Sequence, residues 1–327
     1  MKRVSIIVPC GASILSSVIG SYKILNQANE YLVRTGQQPV FQVELAGLAK
    51  KSSLYDGRFE IYPDLLIQDV VQTDLIIIPA LAQMDDLPGQ LELNKDYIPW
   101  IQQQYKQGAE VASLCTGAFL LATTGLLAGK KCVTHWMAAD AFRRMFPAVN
   151  LIPDKIIIDE KGIYSSGGAY SFLNLIIHLV EKYCGRETAI FCSKVFEIEI
   201  ERSCQAPFAI FSGQKDHEDE PIKKAQAFIE TNVADRISVD GLASMLALSR
   251  RNFERRFKKA TANTPVEYLQ RVKIEVAKKN LESGSDNINE VMYAVGYSDG
   301  KAFRTTFKKI TGLSPVEYRN KYNRLMV

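Results

Sequence analysis

At 327 residues the chain is long enough for two domains of roughly 150 residues each. Its charge is divided: residues 219–327 carry 20 Lys and Arg against 13 Asp and Glu, net +7, while the other 218 carry 20 against 23, net −3. The six cysteines (Cys10, Cys115, Cys132, Cys184, Cys192 and Cys204) show no zinc-type spacing, and no apolar stretch is long enough to span a membrane. Metal-bound, disulfide-stapled and membrane-spanning classes are thereby excluded, and a cytoplasmic protein with reduced thiols and no cofactor is expected.

Val4–Val8 reads as a buried strand rather than a leader, because its apolar run is stopped by Pro9. Strand-like runs then alternate with amphipathic helices. A helix is predicted over Leu15–Thr35, strands over Phe41–Leu48 and Leu75–Ile78, a helix over Tyr97–Gln107, a strand over Glu110–Leu114 and a helix over Ala118–Leu127. Strands at Lys155–Asp159 and Ile163–Ser165 follow, then helices over 170–184 and about 187–200. Such alternation predicts an α/β domain, a mostly parallel sheet with helices on both faces, whose ligand site lies outside the carboxyl ends of the strands.

One strand end carries candidate chemistry. Ala112-Ser113-Leu114-Cys115-Thr116-Gly117-Ala118 puts Cys115 where a strand meets a helix, and Gly117 and Ala118 permit a tight turn. Free N–H groups at the helix start are expected to lower the thiol pKa below those of Cys132, Cys184 and Cys192. His135, in Thr134-His135-Trp136, is the candidate partner of Cys115. Ser165-Ser166-Gly167-Gly168 opens a later helix.

These residues resemble the PfpI-type branch of the class I glutamine amidotransferase-like superfamily, over about residues 3–205. The resemblance implies a flavodoxin-like fold with Cys115 on a strained elbow. The nearest patterns are the isonitrile-hydratase-like proteins and the GlxA-type regulators. The hydratases place an acid on the first helix, where this chain has Ser17, and Asn174 stands where relatives often carry Asp. A cysteine without a positioned acid or base has weak means of catalysis. The candidate ligand-contacting set is therefore Cys115, Thr116, Gly117, His135, Ser17 and Gly168, with Cys115, Thr116 and His135 as the only catalytic candidates.

Residues 212–220 are polar, charged and aperiodic, and read as a linker between a domain over 1–211 and one over 221–327. Pro221 starts a helix over 222–231 with Ala225, Phe228 and Ile229 inward. The last stretch occurs twice. Phe253-Glu254-Arg255-Arg256-Phe257-Lys258-Lys259 and Phe303-Arg304-Thr305-Thr306-Phe307-Lys308-Lys309 are related by a shift of fifty, which also pairs Pro265-Val266-Glu267-Tyr268 with Pro315-Val316-Glu317-Tyr318. Each copy reads as helix, turn, helix. Leu242, Ala243 and Leu246 lead into the first, and Val291, Met292 and Val295 into the second. Phe253, Phe257, Phe303 and Phe307 point inward, so Arg250, Arg251, Arg255 and Lys258, then Lys301, Arg304, Thr305 and Lys308, are left as DNA contacts. Thr264 and Ser314 are N-caps with Glu267 and Glu317 closing capping boxes, a structural role only.

This half resembles the AraC/XylS-type DNA-binding domain, all-α with two helix-turn-helix units joined by a long helix. A linking helix from Pro265 to about Leu281 would be on the order of 25 Å long, which suits two reading helices about one DNA turn apart. The expectation is a transcription regulator that binds double-stranded DNA. Its first domain would form a homodimer and sense a small-molecule effector or redox state at Cys115, with RNA polymerase as a further partner. The alternative is a cysteine-dependent hydratase or amidase fused to a DNA-binding tail.

Overall fold

The computed structural model describes residues 1–82, 84–200, 202 and 204–323. Arg324–Val327, the end of the second expected domain, lie outside the described residues. The chain divides between Gln205 and Ala206, so residues 206–211 belong with the second unit rather than the first.

The first unit contains β1 (Lys2–Val8), α1 (Leu15–Arg34), β2 (Phe41–Gly47), β3 (Ser52–Leu54), β4 (Phe59–Ile61), β5 (Leu65–Leu66), β6 (Leu75–Ile78), α2 (Leu87–Leu93) and α3 (Tyr97–Lys106). It continues with β7 (Glu110–Ser113), α4 (Gly117–Thr123), β8 (Lys131–Cys132), α5 (Ala139–Met145), β9 (Asn150–Leu151), β10 (Ile157–Asp159), β11 (Ile163–Ser166), α6 (Ser171–Cys184) and α7 (Arg186–Val195). The main sheet has the order β10-β11-β7-β6-β1-β2-β5, and every pairing is parallel except β10 with β11. Both faces are covered, so β6 is apolar at every position: Leu75 and Ile77 join the core under α1, α6 and α7, while Ile76 and Ile78 join the one under α2 to α5.

The elements depart from expectation where local chemistry ends a helix or where short strands carry no periodic signal. Helix α4 stops at Thr123 rather than Leu127. The hydroxyls of Thr123 and Thr124 donate back to the carbonyls of Leu120 and Leu121, and Gly125 follows at φ +75°. The pairs β3–β4 and β8–β9, and helices α2 and α5, are too short or too irregular in pattern for periodicity to reveal.

The second unit is helical: α8 (Glu220–Thr231), α9 (Val239–Met245), α10 (Arg250–Thr261), α11 (Pro265–Ser283), α12 (Ile288–Ala294), α13 (Gly300–Thr311) and α14 (Pro315–Tyr322). Phe257 packs edge-on against both Phe253 and Tyr268, and Phe307 packs edge-on against Tyr318 and at a tilt against Phe303, giving two small cores of one design. Helix α11, about 28 Å long at its 19 residues, contributes to both. Both capping boxes of the Pro-Val-Glu-Tyr segments form as expected. The inner face of α8 is Ile222, Ala225, Gln226 and Ile229. Phe228 is 40% exposed, a correction: the helix packs along the stripe that contains Gln226, whose amide is satisfied by Tyr268 and Gln214.

The stretch 212–220 is also corrected, since it does not stand away as a solvated linker. Residues 206–219 lie along the helical unit. Tyr322 donates to the Pro207 carbonyl, Lys278 to that of Ala209, and the Phe211 N–H donates to Glu275. Phe211 stacks edge-on against Tyr268, His217 meets Gln226, and Asp219 receives two hydrogen bonds from Arg256 while capping α8. Gln214, Lys215, His217 and Asp219 thus meet polar groups on or next to α8 and α10, while Ser212, Asp216 and Glu218 stay exposed.

Candidate functional site

The elbow lies at the carboxyl ends of β6, β7 and β11. Cys115 has φ +53°, in the left-handed region that a non-glycine residue adopts only at a cost of about 1–3 kcal/mol. The surroundings hold it there. Its N–H donates to Ser166 Oγ (3.2 Å), its carbonyl accepts from Thr134 Oγ1 (2.9 Å), and Thr116 Oγ1 donates to the Leu81 carbonyl (2.5 Å). Gly117 backs onto the carbonyls of Ile78 and Pro79.

The thiol is buried, at 5% exposure. Desolvation pushes its pKa up, and the N–H groups of Ala169 and Thr116, together with the Thr116 hydroxyl, only partly offset that. This overturns the expected acidic thiol. Helix α4 is only seven residues long, and loss of water outweighs the donors aimed at the sulfur. Burial also raises Cys132 and Cys184 to about 12 and Cys192 to about 11.

Ser17 is fully buried, and its hydroxyl is used by the backbone: it donates to the Ile14 carbonyl (2.6 Å) and accepts from the Ala80 N–H (3.1 Å). It fastens α1 to the chain after β6 and offers no acid. Asn174 is likewise structural, donating to the Glu199 carbonyl. His135 lies against Gly168, where a Cβ would come within 2.4 Å of the imidazole, so only glycine admits the ring. His135 Nδ1 accepts the Met137 N–H (3.1 Å), which makes the neutral ring the Nε2–H tautomer.

Gln205 went unnoticed as a functional candidate, although it organises this end of the unit. It is buried, its Nε2 donates to the carbonyls of Thr134 (2.9 Å), Pro153 (2.8 Å) and Lys155 (3.2 Å), and its Oε1 accepts the Gly168 N–H (2.9 Å). It thus ties the His135 loop to the Gly168 loop. No periodicity marks such a residue, because every partner is 37 or more positions away.

Burial lowers the His135 pKa. The unfolded chain therefore takes up a proton first, and the contribution of this group to stability is complete above its ordinary pKa of about 6.5 and is lost as pH falls through the folded value. Thermal unfolding of the wild type should show a decline between pH 7.5 and 5.5 that is shallower in His135→Gln. Equal slopes in the two proteins would show that the ring accepts a proton without penalty.

In the second unit, each reading helix is presented by a turn with a left-handed residue, Ala247 at φ +54° and Gly296 at φ +70°. Leu248 N–H bonds to the Ala243 carbonyl and Tyr297 N–H to that of Met292, so these turns superpose with a shift of 49, and the second has one residue more before its reading helix. A Cβ on Gly296 would meet the Ala234 carbonyl at 2.3 Å and Lys273 Nζ at 2.7 Å. Buried Lys273 donates from α11 to the carbonyls of Val295 and Asp235, which joins the two helix-turn-helix units. Ser249 caps α10 and Asp299 caps α13.

The outward face of α10 is basic and partly braced. Arg250 bonds to Asp240 and Glu254, both at 3.0 Å, and Arg255 to Asn252 at 2.9 Å. Arg251, Glu254, Arg255 and Lys258, with Thr264, Pro265 and Val266, line an open groove of about 500 Å³. Arg256 is not on this face, since Asp219 holds it. On α13, Lys301, Arg304, Thr305 and Lys308 are all exposed.

Residues 25–182 match the model of the DJ-1/PfpI family, and residues 242–321 match that of a helix-turn-helix domain. The chain is 29% identical over 275 residues to the HTH-type transcriptional regulator GbdR of Pseudomonas aeruginosa, an overlap of 81% of this chain and 70% of that one. It is 23% identical over 218 residues to the HTH-type transcriptional regulator GlxA of Rhizobium meliloti, covering 65% and 66% of the two. A solved structure of a candidate transcriptional regulator from Vibrio parahaemolyticus shares the α/β fold, with TM-score 0.52, 24% identity and coverage of 59% of this chain and 98% of that one.

An α/β unit of this fold followed by paired helix-turn-helix units defines a DNA-binding transcription regulator. The chain thus combines a DJ-1/PfpI-type domain with an AraC-type helix-turn-helix domain, the arrangement of DNA-binding transcription regulators. Among its described residues no helix is long and apolar enough to cross a membrane.

Proposed function

We propose that this regulator reads double-stranded DNA with α10 and α13 together. Arg250, Arg251, Arg255 and Lys258 would contact one stretch of the operator, and Lys301, Arg304, Thr305 and Lys308 another. The observation that carries this reading is the twin aromatic anchoring, which buries the same side of both helices and leaves a basic side on each. Within this reading the DJ-1/PfpI unit forms a homodimer in the cytoplasm and senses a small molecule or an oxidant at the Cys115 elbow, where Thr116, Gly117, His135, Gly168 and Ser17 shape the surroundings. RNA polymerase is the partner through which binding changes transcription. What supports sensing is the strained, buried elbow with N–H donors already aimed at the sulfur.

Fluorescence anisotropy of the full chain on labelled duplex DNA tests the interface. Lys258→Ala and Lys308→Ala should each weaken all sequences alike and reduce the log–log salt slope by about 0.9. A slope unchanged in both variants would remove these helices from the DNA. Sedimentation of the full chain should give the mass of a dimer; a monomer would leave pairing to DNA itself.

A further inference from the structure

The two reading helices carry opposite charges at one equivalent position. Under the shift that superposes Phe253 and Phe257 on Phe303 and Phe307, Glu254 corresponds to Arg304, and Arg250 to Gly300. The buried phenylalanines fix how far each helix is rotated, so the two residues leave their helices in the same sense, and neither is buried. Glu254 is the one acid in α10, standing in the groove among Arg251, Arg255 and Lys258, whereas α13 has no acid at all.

A carboxylate in a purely phosphate-binding face would only weaken binding. Here it is held in place: Asp240 on α9 grips one end of Arg250, whose Nε binds Glu254 Oε1 at 3.0 Å. That brace occupies Oε1 and leaves Oε2 as the second acceptor. In the second copy the bracing arginine is replaced by Gly300, and the Arg304 guanidinium lies back over it, 3.3 Å from where a Cβ would be. Arginine at 250 thus goes with an acid at 254, and glycine at 300 with an arginine at 304.

We propose that Glu254 and Arg304 are specificity-determining residues of opposite hydrogen-bond character. Glu254 accepts from the exocyclic N4 amine of a cytosine in one half-site, and Arg304 donates to O6 and N7 of a guanine at the corresponding position of the other. This rests on the DNA-reading function above and adds which bases are read.

Selection of the full chain on a random duplex library, followed by sequencing, tests it. The wild type should enrich two half-sites about 10 base pairs apart, one holding the cytosine and the other the guanine. Glu254→Gln should change that cytosine to adenine and Glu254→Arg should change it to guanine, with the second half-site intact. Arg304→Ala should relax the guanine alone, by roughly 5- to 150-fold in discrimination. If both Glu254 variants keep the wild-type motif and merely bind all DNA more tightly, Glu254 tunes charge and the inference is wrong, though DNA reading survives. If the wild type itself enriches no motif, sequence-specific reading fails, and this inference with it.

Discussion

Replacing Gln205 by alanine should destabilise the α/β unit by about 3–5 kcal/mol, since the carbonyls of Thr134 and Pro153 and the N–H of Gly168 would all be buried without a partner. One side chain holds together loops that reach it from three directions, and alanine can replace none of its bonds. Trp100 and Trp136, the only two tryptophans, both lie in this unit, so their fluorescence in a urea titration follows its unfolding separately from the helical unit. Because Gln205 ties the Gly168 loop to the Thr134–His135 loop, the pH dependence that His135 imposes should also weaken in this variant. A loss under about 1 kcal/mol would mean that water or a shift of the loops replaces the amide, against the range expected for orphaned buried groups.

Lys278→Ala should have an effect of similar size on the other unit. Lys278 and Glu275 form an ion pair on α11 with side-chain exposures of only 5% and 13%. Removing the ammonium strands a carboxylate in a poorly solvated place and frees the Ala209 carbonyl, a change that typically costs about 3–5 kcal/mol. Its structural consequence would be detachment of residues 206–211 from α11. The Phe211 amide, which donates to Glu275, should exchange with solvent much faster, and protease cleavage should appear in this stretch. The double variant Lys278→Met with Glu275→Gln should recover most of the loss, since neither side chain then carries a buried charge. Unchanged Phe211 exchange in Lys278→Ala would show that Glu275, the Tyr322 bond to Pro207 and the contacts of Phe211 with Tyr268 and Arg271 hold the segment without the ammonium.

The sequence by itself determined the plan of this protein. Apolar runs such as Leu75–Ile78 can be buried only in a sheet covered on both sides, and the repeated Phe-x-x-x-Phe with its capping boxes specifies two copies of one helical unit. These are local signals: periodicity, caps and turn residues act over a few neighbouring positions, and the chain obeys them wherever packing agrees. Tertiary structure alone decided the rest. The Cys115 elbow was legible as a turn, but its burial was not, and burial reversed the expected acidity of the thiol. Ser17 was legible as a missing acid, but not as a fastener between Ile14 and Ala80. Residues 212–220 read as a solvated linker because their composition is polar, and residues 206–211 as the end of the first domain. They lie instead on α8, α10, α11 and α14, because Gln226, Arg256, Glu275, Lys278 and Tyr322 supply the partners that water would otherwise provide. The cost of a buried polar or charged group depends on which distant group meets it, and that pairing exists only once the chain has folded.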